Sequence, residues 1–227
     1  DEPESPSQWP NLERFGDSWS VRGFIWPMQG LELQGSYAEV ASPEHRPGAG
    51  LGQQKLSASA RWERDVGAVR TYALAEWART EEAGGGFDYA SVLAEGAAGV
   101  GRHRIAYRFE RAARPEEERL FDDPFRSLRP HLDDNIVGQT RWTLHTVNYT
   151  AQFDVAGGWL AALPFIEVTL GSVARLGEAV FDPATFYGTT DVRSLSVGVR
   201  LDLGGAMHRM GRYGVIDAGD TAGQHHH

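Results

Sequence analysis

KLSASARWERDVGAVRTYALAEWAR, residues Lys55–Arg79, decides the fold. Its first half sets Leu56, Ala58, Ala60 and Trp62 against Lys55, Ser57, Ser59, Arg61 and Glu63. Side chains of a strand point alternately to opposite sides, so a strictly alternating apolar set predicts a strand apolar on one face. Arg64–Gly67 then reads as a tight turn. Beyond it Val69, Ala73, Ala75 and Trp77 share one face, while Arg70, Tyr72, Leu74 and Glu76 share the other. Two such segments joined by a short glycine turn predict a β-hairpin.

The same pattern extends in both directions. The sequence predicts strands at Ser18–Trp26, Leu31–Val40, Lys55–Glu63, Ala68–Arg79, Phe87–Ala98, Arg102–Glu110, Ile136–Asp154, Trp159–Gly171 and Arg193–Leu203. The last is the cleanest, with Leu195, Val197, Val199, Leu201 and Leu203 against Ser194, Ser196, Gly198, Arg200 and Asp202. Pro164 lacks a backbone donor and predicts a bulge or an unpaired position in its strand. The connections alternate in length. Pro27–Gly30, Arg64–Gly67, Gly99–Gly101 and Ala156–Gly158 are tight; Ala41–Gln54, Thr80–Gly86, Ala112–Asp134 and Ser172–Asp191 are longer. In an up-and-down arrangement all tight turns fall at one end and all long loops at the other. That sorting is the habit of bacterial outer-membrane β-barrels.

Composition is compatible with a membrane. Hydrophobic content is 41% over 227 residues, and no apolar run reaches the roughly 18 residues of a membrane helix. A membrane strand needs only about 9–11 residues, apolar on one face. Within lipid every backbone polar group must find a partner, so a closed barrel is expected. The net charge of −9 and the lack of a basic, aromatic-interleaved stripe argue against nucleic acid as a partner. Cysteine is absent, in keeping with an exported protein.

The expected organisation is a polar loop or linker over 1–17, an antiparallel transmembrane β-barrel over 18–203 and a periplasmic tail over 204–227. His225–His227 reads as a purification-tag remnant. Strand nine runs toward the tight-turn side. Nine strands counted back put the start of strand one on the long-loop side, whereas bacterial barrels normally have an even number. At least one further strand is therefore expected, upstream in the polypeptide or from a second chain.

If the apolar faces meet lipid, the lumen gathers charge. The pore-lining candidates are Arg61, Arg70, Glu76, Arg102, Arg104, Arg108, Glu110, Arg200 and Asp202. Trp26, Tyr37, Trp62, Trp77, Tyr149 and Trp159 lie near strand ends and are the candidates for an interfacial aromatic girdle. Outer-membrane lipid is the expected surrounding, with long loops extracellular. A protein partner is expected through 112–134, 172–191 or the tail.

The run DSWSVRGFIWPMQGLELQGSYAEVASPE, Asp17–Glu44, resembles the C-terminal half of an uncharacterised family of bacterial outer-membrane β-barrel proteins. Members are often encoded near copper-resistance and metal-efflux genes. The features that carry the resemblance are Asp17–Arg22, the turn Trp26–Gly30, the aliphatic strand Leu31–Tyr37 and Ser42–Glu44. It continues through Lys55–Arg64, Leu74–Thr80 and Phe109–Phe121. The resemblance implies an outer-membrane location, a porin-like or structural role and a link to metal homeostasis. The family's histidine-rich elements lie upstream, so no ligand set carries over.

Candidate chemistry in the chain itself is sparse. His208 and Met210, in AMHRMGRYG, offer imidazole and thioether, donors that suit soft copper. A barrel-borne hydrolase would draw on His145, Ser194 or Ser196, and Asp202. No motif fixes their geometry, and neither an enzyme nor a bound cofactor is expected.

Overall fold

The computed structural model describes residues 18–41, 52–83, 88–117, 136–155, 159–177 and 181–203. They form one antiparallel sheet of ten strands: β1 (Trp19–Met28), β2 (Leu31–Val40), β3 (Gln53–Val66), β4 (Val69–Glu82), β5 (Asp88–Val100), β6 (His103–Glu117), β7 (Ile136–Ala151), β8 (Phe153–Val155), β9 (Leu160–Leu176) and β10 (Asp191–Leu203). A single helical turn, α1 (Pro183–Tyr187), lies between β9 and β10. Neighbours in sequence are neighbours in the sheet, in the order β1-β2-β3-β4-β5-β6-β7-β9-β10, with β8 beside β9. The expected all-β, up-and-down architecture is the one the chain adopts.

Three tight turns join β1 to β2, β3 to β4 and β5 to β6, all at one end of the sheet. Each carries a left-handed glycine: Gly30 at φ 80°, Gly67 at 62° and Gly101 at 56°. A side chain there would be strained. Gly30 has a second reason to be glycine. Its carbonyl accepts from Glu63 N at 2.8 Å, and a Cβ would come within 2.1 Å of the Glu63 carbonyl oxygen.

Two prolines shape the ladder. Pro27 sits in β1, at the sheet edge, where the register shifts between Ile25 and Met28; an edge or a bulge is where a missing donor is tolerated. Pro164 breaks the seventh expected strand in two. β7 pairs with β9 as far as Thr150↔Phe165, and β8 resumes at Phe153↔Ala162. Pro164 lies opposite that gap, and Gln152 N turns instead to the Arg102 carbonyl at 2.8 Å.

The expected closure is not formed. The sheet has two edges, β1 and β10. β7 and β8 both run antiparallel to β9 and occupy one position, so nine positions span the sheet. Nine alternating directions leave β1 and β10 running the same way. They cannot join each other antiparallel. An odd number of additional strands, entering from the tight-turn end, would make both seams antiparallel.

Candidate functional site

Register divides the side chains into two faces. Directly paired residues share a face, so Leu33, Ala60, Ala75 and Ala94 belong to one row and Phe109, His145, Leu170 and Arg193 continue it. Through its middle this face carries apolar side chains on every strand. Its members stand out in the open: Leu195 is 67% exposed, Val197 73% and Leu203 68%. The buried residues lie mainly on the other face, and many are polar. Glu95 is 4% exposed, Glu116 2%, Thr140 0% and Asn148 6%, beside Tyr72, Ala97 and Ala106. A water-soluble fold has the reverse arrangement.

The sheet curls around this polar face. The charges of Glu95 on β5, Glu63 on β3 and Arg200 on β10 all act on Arg104 of β6. Ion pairs run across and along the strands. Arg108 donates to Glu95 at 3.1 Å and to Glu110 at 2.5 Å. Arg61 binds Glu63, and Arg200 binds Asp202 at 3.1 Å. Asn148 donates to Glu167 at 3.3 Å and accepts from Thr150 at 2.8 Å, while the Thr146 and Thr169 hydroxyls meet at 2.9 Å. Each carboxylate taken from water costs several kcal/mol unless it is paired, so these bonds are what permits the burial.

A second polar cluster lies at the long-loop end. The carboxylate of Glu116 accepts from Thr140, from Arg114 Nε at 3.2 Å and from Tyr187 OH at 3.3 Å. Trp142 Nε1 donates to Thr140 at 3.0 Å, and the Arg114 guanidinium stands 4.0 Å from the Trp142 ring centroid. α1 carries Tyr187 to this spot. Asp182 caps its start by accepting from Thr185 N at 3.2 Å, and the Thr185 side chain's bond holds that carboxyl below the usual carboxylate range. Gly188 ends the turn at φ 72°. Burial lifts the Tyr187 hydroxyl above the ordinary tyrosine value, and the neighbouring Glu116 carboxylate adds to the effect. Phe181 and Pro183 nearby are buried, while Tyr187 itself is half-buried.

The pore-lining candidates Arg61, Arg70, Glu76, Arg104, Arg108, Glu110, Arg200 and Asp202 all fall on the polar face. Arg102 does not. β6 begins one residue later, so Arg102 belongs to the turn, and its guanidinium lies 5.0 Å from the ring centroid of Phe153. Of the girdle candidates, Tyr37 and Trp77 sit on the apolar face toward the long loops, and Trp62 and Tyr149 on it toward the tight turns. Trp159 lies in the turn before β9, 60% exposed. Trp26 departs from the apolar face. It follows Phe24 into the bulge of β1, 5.2 Å between rings, and donates to Glu32 on the polar face at 3.1 Å.

His145 and the serines of the hydrolase alternative are on opposite faces. His145 Nδ1 bonds Tyr107 OH at 2.8 Å on the apolar side, whereas Ser194, Ser196 and Asp202 are on the polar side. They form no nucleophile–base pair. His208 and Met210 lie outside the described residues, as do 118–135 of the expected partner loop and the whole tail. Among the described residues, no group of three or more histidine, cysteine or acidic side chains could hold a metal ion.

Two polar groups escaped the sequence. Glu95 stands in an alanine- and glycine-rich strand whose alternation is faint, yet Glu95, Ala97 and Gly99 do keep one parity. Glu116 falls where a loop was expected to begin at Ala112. The alternation of Ala112, Arg114 and Glu116 continues that strand.

The fold and its two faces define an up-and-down antiparallel β-protein that exposes its apolar side chains and shields its polar ones. No family model, curated protein or solved structure matches the chain.

Proposed function

We propose that this chain is part of the wall of an outer-membrane β-barrel, with the apolar face toward lipid and the polar face toward a wet lumen, acting as a porin-like pore or a structural component of the envelope. The observation that carries this is the inversion of burial. On β10 alone, five large apolar side chains are each more than 60% exposed. Leaving them in water forgoes roughly 1–2 kcal/mol each, a sum comparable with the whole stability of a domain. Lipid removes that cost. The outward apolar run from Leu195 to Leu203 measures about 26 Å along the strand, or about 20 Å when tilted as barrel strands are. Aromatic residues bracket the band at both ends, as an interfacial girdle would.

The lumen residues would act electrostatically. The pairs Arg108–Glu95 and Arg200–Asp202 line the polar face without a basic or acidic excess at either pair. Heat-modifiable gel migration of the protein extracted from outer membranes tests the barrel. A compact band that shifts on boiling supports it; a protein that stays soluble without detergent and shows no shift contradicts it. Single-channel recording then separates a pore from a wall.

A second reading, an interaction subunit of a larger envelope complex, is favoured by the edges. β1 and β10 run the same way, and the backbone groups of an edge strand in lipid need partners. Strands entering from elsewhere would supply them. The link to metal homeostasis is an implication of the family resemblance alone.

A further inference from the structure

Arginines are unevenly placed around the long-loop end of the apolar face. Arg111 on β6 pairs with Thr143 on β7, Arg141 on β7 pairs with Ala113 on β6, and Arg193 on β10 pairs with Leu170 on β9. All three share the apolar face, at the margin where the apolar band ends. Thr143 and Ser172 are register partners on β7 and β9 between them, and Asp191 on β10 ends that row. Arg111 and Arg141 make no ion pair among the described residues. Among the described residues the ion partner of Arg193 is Asp191, at 3.4 Å, and the Arg193 side chain is 78% exposed. The same margin over β4 and β5 differs. There Arg79 is consumed by Asp88 at 2.7 Å and Glu81 at 3.2 Å, leaving an acidic excess.

We propose that Arg111, Arg141 and Arg193, with the Thr143 and Ser172 hydroxyls between them, form a binding site for the anionic phosphate headgroup of a membrane lipid. This rests on the membrane reading above. Arg111 and Arg141 are diagonal neighbours on adjacent strands, about 7–8 Å apart, a spacing that lets their guanidinium groups converge on one headgroup. Arg193 borders the patch from β10, beyond Ser172 on β9. Arginine suits phosphate because its planar fork donates two parallel hydrogen bonds. An arginine at the lipid–water boundary keeps its stem along the apolar surface and its charge among headgroups. The band below supplies the acyl-chain surface: Phe109, Val168 and Leu195 lie on the same face.

The test uses the full chain in vesicles of equimolar phosphatidylcholine and phosphatidylglycerol, extracted in mild detergent, with the retained lipid read by native mass spectrometry. Wild type should retain phosphatidylglycerol over phosphatidylcholine on the order of thirtyfold, the effect of two net basic charges near an anionic surface. Arg111→Gln/Arg141→Gln/Arg193→Gln should bring the ratio near one, whereas Arg79→Gln, in the acidic sector, should leave it unchanged. Equal retention by wild type and the triple variant would overturn the site. So would displacement of the lipid by inorganic phosphate alone, which would mark a free-anion site. If the wild type associates with no vesicle, the membrane reading itself fails; if it inserts without headgroup preference, only this site fails.

Discussion

Glu95 on β5 and Arg108 on β6 stand directly opposite each other, joined by a 3.1 Å ion pair, with the Glu95 side chain wholly shielded. The Arg108 guanidinium is one of the groups that let a buried carboxylate hold this position. Arg108→Met removes the 3.1 Å partner of that charge and should cost roughly 3–5 kcal/mol. Glu95→Gln combined with Arg108→Met should recover much of it, because the wholly shielded charge is gone and Glu110, the other partner of Arg108, still reaches water. The temperature at which the gel band shifts measures both. Equal damage from the single and double variants would mean the pair is not what supports this part of the sheet.

The two faces should respond oppositely to the same substitution. Val197→Arg puts a charge in the middle of the apolar face, and roughly 2–4 kcal/mol of insertion free energy should be lost. Ser196→Arg, one residue away on the polar face, should be nearly silent. Folding yield into phosphatidylcholine vesicles at graded urea compares them. Indifference to both would contradict the assignment of faces.

Tyr187 fastens α1 to the sheet through Glu116, and its hydroxyl titrates above the ordinary tyrosine value of about 10. The protonated form is the one the folded state favours. Its contribution is complete below the unfolded-state value and is lost as pH rises through the folded one. Phenolate absorbance should therefore show a late-titrating component in wild type that is missing from Tyr187→Phe. The substitution should also cost roughly 1 kcal/mol in stability through the lost bond. An unchanged titration curve would place Tyr187 away from the carboxylate.

Much of the fold was legible because a strand with one apolar face must alternate. Leu195 to Leu203 and Leu56 to Trp62 announce themselves in that way. The tight turns were legible through glycine. Legibility failed where alternation was interrupted or faint. Trp26 keeps the parity of Phe24 and so falls on the polar face, while the bulge at Pro27 moves Met28 to the apolar one. Arg102 left the polar face because a strand began one residue later than expected. That the visible strands do not close on themselves was legible from their odd count, which leaves the two edge strands running the same way. The candidate lumen was read from charge parity, but its strongest buried partner, Glu95, hid among alanines. The cap of Glu116 by Tyr187 joins residues 71 positions apart. Nothing local to either segment encodes that contact.

The most direct measurement is a cysteine scan of β10, made simple by a chain that has no cysteine of its own. Residues 194–203 would each be replaced by cysteine and labelled with a fluorophore in vesicles. Lipid-borne and water-soluble quenchers are then compared. Labels at 195, 197, 199, 201 and 203 should be quenched from the lipid, and those at 194, 196, 198, 200 and 202 from water. Uniform quenching by the aqueous reagent, with no alternation, would contradict an apolar face turned toward lipid.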